Sequence, residues 1–133
     1  MIHSVQEFLD IMEREDLAGY RFALDEASEE VWFEIIERCP KHLRNVAMNK
    51  NLPVTVIELL STNQNEEVRY QIANKRATPS RILEKLASDD AESVRMRVVY
   101  NPKVTVPILK KLLTDESVEI RKKASEILSQ RLW

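Results

Sequence analysis

Arg69, Arg95 and Arg121 stand 26 residues apart, and each follows an aliphatic residue: Val68, Val94 and Ile120. The same step relates Val46, Ile72, Val98 and Ala124. It relates Ile57, Leu83 and Leu109, and again Leu60, Leu86 and Leu112. Six residues before each arginine sits a polar column of Asn63, Asp89 and Asp115. So many columns on one period make the chain an internal repeat before any single helix is considered. A unit this short cannot bury its own apolar face, so neighbouring units must cover one another.

Within a unit the spacing predicts two short helices. The first runs from about Val68 to Asn74, with Val68, Ile72 and Ala73 on one side. A polar, basic loop follows (Asn74-Lys75-Arg76). Thr78-Pro79 reads as the next helix start, with Thr78 as N-cap and Pro79 at the first helical position, where its missing N–H costs nothing. Ile82, Leu83 and Leu86 form the buried face, and Ser88-Asp89-Asp90 ends the helix. Leu52-Pro53 and Thr105-Val106-Pro107 open the equivalent helices.

The ends differ from the middle. Ser4-Val5-Gln6-Glu7 is a capping-box pattern before an apolar stripe of Val5, Phe8, Leu9 and Met12. Ser28 is placed to cap a helix bearing Val31, Trp32, Ile35, Ile36 and Cys39, stopped by Pro40. Trp32 and Ile35 lie 25 residues before Ile57 and Leu60, as in a degenerate repeat with one deletion; Leu17–Leu24 is the candidate for its first helix. Ile120–Leu132 has no proline break and predicts one longer closing helix. The expected organisation is a single repeat domain over 1–133: an acidic cap and degenerate repeat over 1–41, three repeats over 42–119, and a capping helix over 120–133.

The recurring pattern is carried by Val68, Arg69, Ile72, Ala73, Thr78, Pro79, Leu83, Leu86 and Asp89. It returns as Val94, Arg95, Val98, Val99, Asn101, Pro102, Leu109, Leu112 and Asp115. Over roughly residues 42–125 it resembles the leucine-rich repeat variant family and its wider HEAT-like relatives. The resemblance implies an all-α fold, a right-handed α-solenoid (superhelix) of short helix pairs, usually a binding scaffold in a compact bacterial protein. An iron–sulfur cluster held by N-terminal cysteines, found in one member type, does not carry over, because Cys39 is the only cysteine. The step of 26 also exceeds that family's usual length.

Charge is divided along the chain. Residues 1–39 carry a net −8 and residues 40–133 a net +6, which together give the overall −2. Such an asymmetry bears on partners and association rates rather than on fold. One cysteine excludes a disulfide framework and a multi-cysteine metal site. A single glycine, Gly19, excludes glycine-rich phosphate loops and dinucleotide fingerprints. No apolar run reaches a membrane span, and Met1–Glu15 lacks the apolar core of a signal peptide, so no membrane association and a cytoplasmic location are expected. No catalytic, metal-binding or cofactor constellation appears, Cys39 and His42 being separated by Pro40; the expectation is a protein that is not an enzyme.

The acid column (Asn63, Asp89, Asp115) and arginine column (Arg69, Arg95, Arg121) are read as a structural ladder bridging loops of adjacent units, weakened where Asn63 replaces an acid. Lys50, Lys75, Arg76 and Lys103 form a basic row in the inter-helix loops. Arg44, Tyr70, Gln71, Met96, Arg97, Tyr100, Lys122 and Lys123 sit off the apolar side of the first helices and are the candidate partner-binding residues. Three readings follow. The first is a scaffold binding a protein or peptide through the curved face. The second is a small acidic immunity or inhibitor protein that neutralises a basic toxin through Glu26, Glu29, Glu30, Glu34 and Glu37. The third is nucleic-acid binding along the basic face, with phosphates held by cations and bases stacked on tyrosines.

Overall fold

A computed structural model of the chain describes residues 1–14 and 22–131. Among these residues the protein is all-helical, its one extended contact being an isolated bridge between Ile2 and Ala27. The helices are α1 (Val5–Met12), α2 (Glu29–Arg38), α3 (Leu43–Met48), α4 (Val54–Leu60), α5 (Glu66–Ala73), α6 (Ser80–Leu86), α7 (Glu92–Tyr100), α8 (Val106–Leu112) and α9 (Val118–Arg131). A 3-10 turn, Pro40–His42, joins α2 to α3. The helix expected over Leu17–Leu24 falls largely on residues 15–21, outside those described, as do Leu132 and Trp133. No helix of the described residues is long and apolar enough to cross a membrane.

Local chemistry sets the helix ends. Ser4 Oγ accepts from the Glu7 N–H at 3.1 Å, and the Glu7 carboxylate accepts from the His3 N–H at 3.0 Å, one residue earlier than in a standard capping box. That backbone bond from His3 also holds the Glu7 carboxyl below its ordinary range. Ser28 caps α2 and Thr105 caps α8 as their positions predict. Thr78 does not cap. Pro79 itself is the N-cap of α6, and the buried Thr78 hydroxyl donates instead to the Ile72 carbonyl at 2.7 Å, tying α6 back to α5.

The helices are short and lean on one another. α3 packs on α5, α5 on α7 and α7 on α9, while α4, α6 and α8 each contact the neighbouring member of that row. At the other end α1 packs on α2 and α2 on α4, bringing Phe8, Trp32 and Ile35, all fully buried, into the same core as Val56, Ile57 and Leu60. Every apolar column recognised in the sequence is buried, from Val68, Val94 and Ile120 to Leu60, Leu86 and Leu112.

Two chains of polar contacts link the loops. In the first, Arg69 Nε and Nη2 grip the Asp89 carboxylate at 2.8 and 3.1 Å, and Arg95 grips Asp115 at 2.9 and 3.4 Å. The remaining terminal nitrogen of each donates to a carbonyl six residues back: Arg69 to Asn63, Arg95 to Asp89, Arg121 to Asp115. Each aspartate also accepts the N–H two residues on, Ala91 or Ser117. The carboxylate partner therefore lies 20 residues after its arginine, not six before. This corrects the expectation for Asn63: Arg69 has its acid in Asp89, and the position 20 residues before Asn63 is Leu43, which needs none.

The second chain was not anticipated. Asn49, Lys75 and Asn101, again 26 residues apart, each turn inward and donate to two carbonyls of the preceding loop. Asn49 Nδ2 bonds Phe22 and Asp25 at 2.6 and 2.9 Å, and Asn101 Nδ2 bonds Ala73 and Lys75 at 2.7 and 2.9 Å. Lys75 Nζ bonds Ala47 at 2.9 Å and also Asn49. Lys75 is thus half-buried rather than one of an exposed basic row, and burial, with the charge of Lys50 second, pushes its amine down to about 8.

Two outcomes test these chains. Arg95→Ala leaves a buried carboxylate unpaired and should cost about 3–5 kcal/mol in urea unfolding, whereas Asn63→Asp should change stability by less than about 0.5 kcal/mol. Below pH 8 the folded state bears the full cost of burying a charged Lys75. The folded amine sheds its proton near pH 8, and the unfolded one only near the ordinary 10.5. Wild-type stability relative to Lys75→Asn should therefore rise across that window; a flat difference between the two proteins would refute the lowered value.

Candidate binding face

The face opposite the apolar columns of α5, α7 and α9 is built by helical spacing. In α5 the residues Val68, Ile72 and Ala73 turn inward, which leaves Tyr70 and Gln71 on the flank. In α7 Val94, Val98 and Val99 are buried and Met96, Arg97 and Tyr100 fall outside. In α9 Ile120 and Ala124 are buried and Lys122 and Lys123 fall outside. Side chains on neighbouring helices then meet across the row.

Four of the eight candidate residues come together. The Arg97 guanidinium carbon lies 5.4 Å from the Tyr70 ring centroid and 5.0 Å from that of Tyr100, and Lys123 Nζ lies 5.1 Å from Tyr100. Tyr70, Arg97, Tyr100 and Lys123 thus alternate ring and cation across α5, α7 and α9. Each cation–ring contact is worth roughly 0.5–1 kcal/mol at a partly exposed site. Lys123 also pairs with Glu126 at 3.6 Å. Tyr100 keeps 48% of its surface open.

Arg97 differs from Arg69 and Arg95 in one respect. Arg69 and Arg95 have their forks filled by aspartates. Arg97 has no carboxylate within 4.0 Å among the described residues, and its Nε, although buried, has no hydrogen-bond partner. A guanidinium stacked on rings has its N–H edge left over for a planar oxyanion. A buried donor left unpaired costs free energy.

The remaining candidates lie elsewhere. Arg44 makes a solvent-exposed pair with Glu67 at 3.6 Å, a contact of small worth. Met96 packs partly buried against the core, and Lys122 is exposed. Gln71 faces a groove beside Lys75. Of the basic loop row, Lys50, Arg76 and Lys103 are exposed and Lys75 is the inward tie described above. On α2 and its approach Glu26, Glu29, Glu30, Glu34 and Glu37 are all exposed, with Glu34 bonded to Arg38 at 3.0 Å. Cys39 is buried, which pushes its thiol up, and His42 stands edge-on to Phe8 at 5.8 Å. No family model, curated protein or solved structure matches this chain.

Stacking across helices should be visible as non-additivity. In a double-mutant cycle of Arg97→Gln and Tyr100→Leu, read by urea unfolding, a coupling of about 0.5–1 kcal/mol is expected. Additive losses would mean the two side chains do not sense each other.

Proposed function

We propose that this protein is a non-catalytic scaffold that binds another protein through the face carrying Tyr70, Arg97, Tyr100 and Lys123. The observation that carries this reading is the unfilled Arg97 fork, held between two tyrosines where every ladder arginine with a buried carboxylate partner is already satisfied. Tyrosine and arginine clustered at one spot are the residue types that dominate protein-interface energetics. In this reading the units of about 26 residues form a right-handed solenoid like that of the leucine-rich repeat variant and HEAT-like families, one domain acting in the cytoplasm, and the first helices make its concave side. The row of contacts α3–α5–α7–α9 and the two inter-loop chains of hydrogen bonds support it.

Protein is favoured over nucleic acid by the rings themselves. Bases need open aromatic faces, and here Arg97 lies against Tyr70 while Arg97 and Lys123 both lie against Tyr100. A second reading, the inhibitor of a basic partner, draws on the five exposed glutamates at the opposite end.

Affinity capture from the host's lysate with and without nuclease, repeated with two variants, separates these. A stoichiometric protein partner should survive nuclease and be lost with Arg97→Glu combined with Tyr100→Ala, and should persist with Glu30→Lys combined with Glu34→Lys. Loss only with the glutamate variant would transfer the function to the acidic end, and loss on nuclease treatment would transfer it to nucleic acid.

A further inference from the structure

A concavity lies where α3 and α5 end. Met48, Lys50, Asn74, Lys75, Arg76 and Ala77 border a groove of about 430 Å³, within the range of small-ligand sites. Three of the eight residues lining it are cationic. Among the described residues none of the three has a carboxylate within 4.0 Å, although the chain supplies acids to Arg38, Arg44, Arg69, Arg81 and Arg95. Ala47, Met48 and Ala77 make up its apolar lining, with Met48 about half exposed.

Lys75 is the informative residue, because its own fold shows what a purely structural side chain looks like there. Asn49 and Asn101 hold the equivalent positions, donate to two carbonyls of the preceding loop, and use Oδ1 to accept the N–H two residues on, Asn51 at 2.7 Å and Lys103 at 2.8 Å. Lysine has no acceptor, so Lys75 makes the two donor bonds and forgoes the third contact. It also carries a charge into a half-buried place beside Lys50, and the suppressed amine described above reflects that crowding. For stability alone asparagine is the better residue. Places where a chain departs from its own local rule are where function is to be sought. The departure here adds one thing: an ammonium has three N–H groups, Ala47 and Asn49 take two, and the third has no partner among the described residues.

We propose that this groove binds an oxyanion on a short apolar stem, a small carboxylate being the simplest such ligand. Lys75 donates its third N–H to the oxyanion, Lys50 and Arg76 supply flanking charge, and Met48 and Ala77 receive the stem. The ligand then provides the anion that the protein withholds from these three cations. None of the four stacked residues borders the groove, although Gln71, next to Tyr70 on α5, does.

The test follows the Lys75 amine by NMR in lysine-labelled protein, with the signal assigned by its loss in Lys75→Asn. Hexanoate at saturation should raise the Lys75 midpoint by about one pH unit, equivalent to about tenfold tighter binding to the charged amine. Hexanamide, which lacks the charge, should leave the midpoint where it is, and inorganic phosphate, which lacks the stem, should move it less than hexanoate does. Lys75→Asn should melt no lower than wild type and show no hexanoate binding by calorimetry, while Lys50→Ala and Arg76→Ala should each weaken binding several-fold. A midpoint unmoved by hexanoate overturns the proposal, and so does hexanoate binding retained in Lys75→Asn. A Lys75→Asn protein that fails to fold overturns it too, because the lysine would then be there for structure. A phosphate effect equal to that of hexanoate would remove the apolar stem from the proposal's terms and refute it as stated.

Discussion

Helices of six to nine residues do not persist in water, because nucleating each one costs more than its few hydrogen bonds return. From α3 to α8 this chain contains no longer helix, so each exists only while its neighbours are in place. Apolar burial supplies the drive, but aliphatic columns slide readily against one another. What fixes their register is the arginine–aspartate chain. Asp89 is the joint: its carboxylate takes Arg69, its carbonyl takes Arg95, and its Oδ1 also takes the Ala91 N–H. One residue thereby fixes the end of α6, the start of α7 and the distance back to α5. A buried ion pair adds little net stability over an apolar contact of the same shape, and its best-attested use is to set register. That is the use the geometry of Arg69 and Arg95 serves.

The asparagine–lysine column does the same at the opposite ends of the helices. Asn49, Lys75 and Asn101 each satisfy carbonyls left over at the end of a helix or in the loop after it, which would otherwise be buried without donors. With loops tied at both ends and aliphatic columns turned inward, Arg97, Tyr100 and Lys123 on the flank of α7 and α9 take no part in either chain of ties. Arginine shows the consequence. At 69 and 95 it is a strut with its fork filled; at 81 and 38 it makes exposed pairs of little consequence; at 97 it is held by rings with its fork empty. Position decides which role the same side chain takes.

Most of the helical skeleton was legible because apolar columns report burial directly, and every one of them is buried. The caps at Ser4, Ser28 and Thr105 were legible because capping chemistry is local. Thr78 was misplaced because its hydroxyl had two acceptable partners, and tertiary packing onto Ile72 prevailed over the adjacent N–H groups. Asn63 was misjudged because the acid was matched to the nearest arginine in sequence, when the bridging partner lies in the next turn of chain. The inward column went unseen for a different reason. Its members are Asn, Lys and Asn, and the shared property is donation to two carbonyls, which no residue-type pattern displays. The tyrosines and cations were legible as residues sharing the outer side of the first helices, but the meeting of Tyr70 with Arg97 depends on side-chain direction across two helices.

The division of charge gains a physical role when set beside the two unfilled cationic places. Residues 40–133 carry a net +6 and present both the Arg97 fork and the Lys75 groove, while residues 1–39 carry a net −8 and expose the α2 glutamates. For the proposed partner, an acidic surface seeking Arg97, the field of such a molecule is not uniform attraction. It pulls toward α7 and α9 and repels at α2, so only one of the two antiparallel orientations along the face keeps acid away from acid. Charges of this kind add modestly to affinity but act strongly on encounter rate and on rejection of the wrong alignment. The acidic end then needs no ligand of its own to matter, because it would fix which way round the partner lies.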